Sequence, residues 1–154
     1  MDAIIALKQQ YIHAKNIVKK MIEDGVSHPM IELSPNSHNL PDTASGICYL
    51  SHPYERPKTN ILQAGEIAHQ LRNALGGNCT VLSLIHNWPF GCPEVVEDRA
   101  YWLELYHSME VMSACETVFM APGWENSLGC CVEYLRAMSL GKNIFIVKIK
   151  EEEK

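Results

Sequence analysis

The sequence predicts an α/β fold in which helices cover a short, mostly parallel sheet. Two observations carry this expectation. Short apolar runs alternate with longer stretches whose apolar residues repeat at helical spacing, and turn residues punctuate nearly every junction. The chain has 154 residues, 47% apolar and 20% charged. That is enough for one well-buried domain and too little for two of ordinary size.

Each element has its own signal. From Met1 to Asp24, Ile4, Ile5, Leu7, Tyr11, Ile12, Ala14, Val18, Met21 and Ile22 match the spacing of one face of an N-terminal amphipathic helix, which Gly25 stops. Residues 26–46 turn to Pro, Ser, Asn, His and Asp and are expected to be a connecting loop. The main domain is expected over 47–149, with a charged tail at 150–154. Within it Ile47–Leu50, Thr80–Ile85, Thr117–Met120 and Asn143–Val147 read as strands. Asn60–Leu75, Asp98–Ser113 and Ser127–Leu140 read as helices. Strand–helix alternation of this length implies βαβ units, hence a Rossmann-like or flavodoxin-like three-layer sandwich with an extra N-terminal helix.

Charge and composition narrow the function classes. A formal net charge of −5 argues against gripping a nucleic-acid polymer by bulk charge. No apolar run approaches the ~20 residues of a membrane span, and the N-terminus does not resemble a signal peptide. The six cysteines form no C-x-x-C pair, so neither a metal site nor a disulfide framework is expected. Reduced thiols in a cytoplasmic protein fit this usage.

Ligands of open parallel sheets bind beyond the carboxyl ends of the strands. Three segments leave strand ends with unusual chemistry: Ser51–Arg56, His86–Gly91 and Ala121–Ser127. Pro122-Gly123-Trp124 reads as a rigid turn, and Asn126 or Ser127 caps the helix after it. A helix N-terminus offers unpaired N–H groups to an anion. Gly129 permits a close approach, and Glu133 lies one turn further on the same face, followed by Ala137. A carboxylate between Gly and Ala faces something near. The plainer reading pairs an exposed Glu133 with Arg136.

The string APGWENSLGCCVEYLRAMSLGKNIFIV, preceded by ACETVFM, resembles the nucleoside 2-deoxyribosyltransferase-like superfamily, in a branch with a Pro-Gly-Trp-x-x-Ser-x-Gly…Glu…Ala…Gly signature. ICYLSHPYE and VLSLIHNWPF resemble its first two strands and loops. The resemblance covers Ile47 to Val147, about two thirds of the chain. It implies that Glu133 attacks, or electrostatically stabilises, C1′ of a sugar as the base departs, which suits an oxocarbenium-like transition state. Ser127-Leu128-Gly129 is similar to the 2′-deoxynucleoside 5′-phosphate N-hydrolases, in which the matching Ser contacts the phosphate. That favours a nucleoside monophosphate, although Ser127 also suffices as a simple N-cap.

The chain also departs from that pattern. Glu116 replaces an expected Asp at the start of the third strand, and Tyr106 and His107 stand where the preceding helix often carries an Asp. Asp98, His86 and Glu116, in that order, are candidates for the general acid. Ser51, His52 and Tyr54 are expected to contact substrate, as are His86, Trp124, Ser127 and Gly129; Tyr49, Trp88, Phe90, Arg56 and Lys58 are further candidates. No cofactor and no metal are expected, and a homo-oligomer is. Against catalysis stands a nucleotide-binding or sensing module. A third reading makes the N-terminal helix an interaction arm, because its apolar face must be buried somewhere.

Overall fold

The computed structural model describes residues 2–33, 38–39, 46–53, 57–75, 79–83 and 99–149. In chain order they form α1 (Ala3–Tyr11), α2 (Ala14–Glu23), β1 (Met30–Leu33), β2 (His38–Asn39), β3 (Gly46–Ser51), α3 (Pro57–Leu75), β4 (Cys79–Leu82), α4 (Arg99–Ser113), β5 (Thr117–Met120), α5 (Leu128–Ser139) and β6 (Asn143–Ile149). A 3-10 turn, Trp124–Asn126, leads into α5.

The strands follow from burial on both faces. All four residues of β5 are buried, as expected for a central strand of a parallel sheet. The sheet runs β2–β1–β6–β5–β3–β4. Its five strands from β1 to β4 pair in parallel, and β2 adds an antiparallel edge. The fold is therefore a mixed α/β, Rossmann-like three-layer arrangement. Alternate strand residues feed two cores. Tyr49, Val118, Met120 and Ile144 pack with residues of α1, α2, α4 and α5. Cys48, Leu50, Phe119 and Phe145 pack on the other face with Ile67, Ala68 and Leu71 of α3.

The order of strands sets where a ligand can enter. From β3 the chain moves outward to β4, then crosses back over β3 to β5. Right-handed crossovers put α3 and α4 on opposite faces when the direction reverses, matching the two cores. The carboxyl ends of β3 and β5 thus flank the topological switch point, the usual binding crevice of such sheets.

Two expectations need correction. The N-terminal helix is two helices, broken at Ile12 and His13. The break lets α1 lie on α4 while α2 turns onto α5 and the Trp124 turn. Ile4, Leu7, Tyr11, Ala14 and Val18 are thereby buried on the chain's own domain. An ion pair from Arg99 to Asp2, at 2.9 Å, ties the first turn down.

The second correction concerns 26–46, expected as a connecting loop. Met30–Leu33 is a strand paired in parallel with β6, and the Pro29 carbonyl accepts from Ile146 N at 2.9 Å. Ile31 and Leu33 alternate inward to full burial. The flanking prolines conceal that alternation in the sequence, because they read as breakers. Ile31→Ala should cost about 2–5 kcal/mol in denaturant unfolding, as for a large-to-small core change. A loss below about 0.5 kcal/mol, typical of a surface loop, would contradict the assignment of β1 to the sheet.

Candidate functional site

The site is assembled by the turn between β5 and α5. Gly123 sits at φ +83°, a left-handed conformation that side-chain-bearing residues adopt at a cost, so Pro-Gly makes the sharp exit from β5. Ala121 N donates to the Ser51 carbonyl at 2.9 Å, which joins the ends of β3 and β5. Ser127 then caps α5, its Oγ accepting from Cys130 N at 3.4 Å. The Cys131 thiol lies 3.7 Å from the Trp124 carbonyl and 3.5 Å from that of Glu125, pinning the turn to the helix.

This geometry drives the Glu133 side chain into the protein. Glu133 is 6% exposed. Ser51 Oγ donates to its Oε1 at 3.1 Å, while Oε2 is buried with no hydrogen-bond partner. The Tyr49 hydroxyl lies between Glu133 and Ser108 and interacts with both. Burial disfavours the charged carboxylate and raises its pKa to about 7; the Tyr49 and Ser51 hydroxyls pull it back only in part. Cys130 completes the cluster. Burial first, then the charge of Glu133, pushes its thiol well above the ordinary value, opposed by the Ser51 and Ser127 hydroxyls. Tyr49 is likewise pushed up, by burial and by the adjacent Glu133.

Several residues expected at the site fall elsewhere in the architecture. Ser51 and Ser127 converge on Glu133 and Cys130. His52 is at the same strand end, but its ring is engaged: Nδ1 donates to the Pro53 carbonyl at 2.8 Å and Nε2 meets Gln63 Oε1 at 2.7 Å. Trp124 is buried in the helical core, its ring stacked on Tyr134 with centroids 4.6 Å apart. Gly129 faces α4: a Cβ there would meet Tyr101 Oη at 3.7 Å and Leu105 Cδ1 at 4.0 Å. The close approach that Gly129 permits is thus made by a neighbouring helix.

Glu116 lies before β5, at the opposite end of the strand from the crevice, with its carboxylate against Gly46. Four residues at about 3.3 Å each separate it from the site, which removes it as a general acid for Glu133's partner. Tyr106 and His107 are exposed, and the α4 side chain that reaches the cluster is Ser108. Asp98, His86, Tyr54, Arg56, Trp88 and Phe90 lie outside the described residues, as does the side chain of Lys58.

Sequence reasoning missed Cys130, Ser108 and Gln63. Cys130 carried one usable signal, its place three residues before Glu133 on the first turn of α5. Among the described residues no group of three His, Cys, Asp or Glu side chains is placed to hold a metal ion, and no helix is long and apolar enough to cross a membrane.

Fold and site together define a Rossmann-like α/β domain with a carboxylate buried at its topological switch point. Residues 79–146 match the model of a family described as a domain of unknown function, DUF4406. The matched segment runs from β4 into β6 and contains Ser127, Cys130 and Glu133, but not Tyr49 or Ser51. Comparisons with curated proteins and with solved structures give no match.

The buried carboxylate makes stability depend on pH. Its folded pKa of about 7 lies above the ordinary 4.5. Below the ordinary value both states are protonated and nothing is lost. Between the two values the unfolded chain releases its proton first, so stability falls as pH rises through this window. Glu133→Gln keeps the acceptor for Ser51 and removes the charge. It should match the wild type in unfolding free energy near pH 4 and exceed it by on the order of 3 kcal/mol near pH 8. An equal difference at both pH values would contradict the burial of an ionising group.

Proposed function

We propose that the domain cleaves or transfers the N-glycosidic bond of a nucleoside or nucleoside 5′-monophosphate, with Glu133 as nucleophile or oxocarbenium stabiliser. The observation that carries this reading is the Glu133 carboxylate, buried at the switch point with Oε2 unpartnered. Structural carboxylates in a protein interior are paired or fully hydrogen-bonded, because an unpaired charge there is costly. Glu133 is neither, so its burial is an expense that stability does not explain. Functional sites are where such expenses concentrate.

The chemistry fits that environment. Cleavage of an N-glycoside builds positive charge on C1′ and its ring oxygen. A poorly solvated carboxylate attracts that charge far more strongly than one in water. Ser51 holds Oε1 and leaves Oε2 available to C1′, either as an electrostatic partner or to form a glycosyl-enzyme bond as the base leaves with the C–N electron pair. Water or a second base would then take the sugar and restore the carboxylate. The similarity of the Pro-Gly-Trp-x-x-Ser-x-Gly…Glu segment to the nucleoside 2-deoxyribosyltransferase-like superfamily supports the same role. Ser127, at the start of α5, supports a phosphorylated 5′ end held at the helix N-terminus.

One observation favours a second reading, a module that binds a nucleotide without turning it over. The groups set against Glu133 are two hydroxyls and a thiol. Tyr49 and Cys130 are both pushed above their ordinary pKa values, which makes them poor donors to a departing base.

The two readings separate in a single product analysis. Incubation with a panel of nucleosides and monophosphates should release free base, and Glu133→Ala and Glu133→Gln should lower the rate by at least about a thousandfold with the fold intact. Undiminished turnover in either variant would remove the mechanism, and calorimetric binding without base release would establish the module. In the active protein kcat/KM should rise with pH through a midpoint near 7, since the ionised carboxylate is the working form. A profile flat from about pH 5.5 to about pH 8.5 would contradict that role.

A further inference from the structure

The N-terminal segment does more than cover a helical face. His28, between α2 and β1, places Nε2 2.6 Å from the Tyr134 hydroxyl. Their rings meet edge to face, with centroids 5.3 Å apart at 83°. Tyr134 is 2% exposed, so its hydroxyl needs an internal partner. Its ring stacks on Trp124, which belongs to the turn that launches α5, and its chain neighbour is Glu133. α2 packs on both α5 and that same turn. A continuous contact therefore runs from His28 through Tyr134 to the Trp124 turn, about 100° round α5 from the Glu133 position.

We propose that the His28–Tyr134–Trp124 contact is a brace that fixes the rotation of α5 and the Trp124 turn, making His28 a positioning residue for Glu133. The physical reason is a helix's freedom to roll. The cap at Ser127 fixes where α5 begins, and the hydroxyls of Ser51 and Tyr49 hold Glu133 on its inner side. A small rotation about the helix axis would still carry the carboxylate away from the crevice. A hydrogen bond and an aromatic contact at the adjacent Tyr134, about 100° further round the helix, remove that freedom. Misplacement of a reacting group by about 1 Å costs up to a hundredfold in rate. The brace also gives the residues before β3 a share in the site without contact with substrate.

The consequence for turnover rests on the function proposed above, whereas the consequence for the turn does not, and two readouts separate them. The variants are His28→Ala, which removes the contact, His28→Gln, whose amide can reach the same hydroxyl, and Tyr134→Phe, which keeps the ring and loses only the hydroxyl. Hydrogen exchange read by mass spectrometry should speed up about tenfold at the amides of residues 124–130 in His28→Ala and Tyr134→Phe, with β5 and β6 unchanged and His28→Gln near wild type. The same two variants should lose roughly tenfold in kcat with KM within about twofold, and their double variant should lose no more than either alone. Unchanged exchange at 124–130, or an equal rise across the whole domain, would overturn the brace. A local change in exchange in a protein that turns over no nucleotide would uphold the brace and remove the proposed function alone.

Discussion

The desolvation of one carboxylate organises this site. Glu133 is taken out of water where α5 packs on β5 and β6, with Ser51 at the end of β3 beside it, and only part of the lost hydration is returned by Ser51 and Tyr49. Each pKa unit corresponds to about 1.4 kcal/mol between the protonation states, so a rise from 4.5 to about 7 marks a substantial imbalance. That imbalance is held in place by elements that are each unremarkable: a left-handed glycine in the exit turn, a serine cap, a tyrosine–tryptophan stack. The ionised form of Glu133 therefore opposes the fold's stability.

The topology explains why the carboxylate lies where it does. β3 and β5 are adjacent because the chain reverses direction after β4, and the carboxyl ends at such a reversal are where ligands of open parallel sheets usually bind. Residues of β3 alternate between the two cores. Tyr49 faces the helical core that contains Trp102, Met109 and Met112, which brings its hydroxyl to Ser108 and Glu133. The same alternation sends Cys48 and Leu50 toward α3. At the other side of the sheet, β1 extends the parallel array beyond β6, so the N-terminal segment is a structural part of the domain and joins the helical core through α1 and α2.

Much of this was legible in the sequence, though not always for the right reason. The strands of the main domain follow from apolar runs, and Ser127 from its place before a periodic segment. Glu133 stood out as a carboxylate between Gly129 and Ala137. The structure buries Glu133, and the glycine makes room for Tyr101 and Leu105 of α4. Periodicity can report that a face is crowded; it cannot report by what. Trp124 illustrates the same limit, since an aromatic in a loop reads alike whether it meets a ligand or Tyr134. β1 was hidden by Pro29 and Pro35, whose breaker signal outweighs a four-residue alternation. His28 was beyond reach, because its partner is 106 positions away and only the folded chain brings them together.

The account stands on Glu133 ionising near neutrality, and a direct titration tests it. Carboxyl carbon-13 NMR of protein labelled at glutamate, with Glu133→Gln to assign the signal, would follow this one group against pH. The account predicts a midpoint near 7, as burial requires. A midpoint near the ordinary 4.5 would show a solvated carboxylate and contradict the central claim.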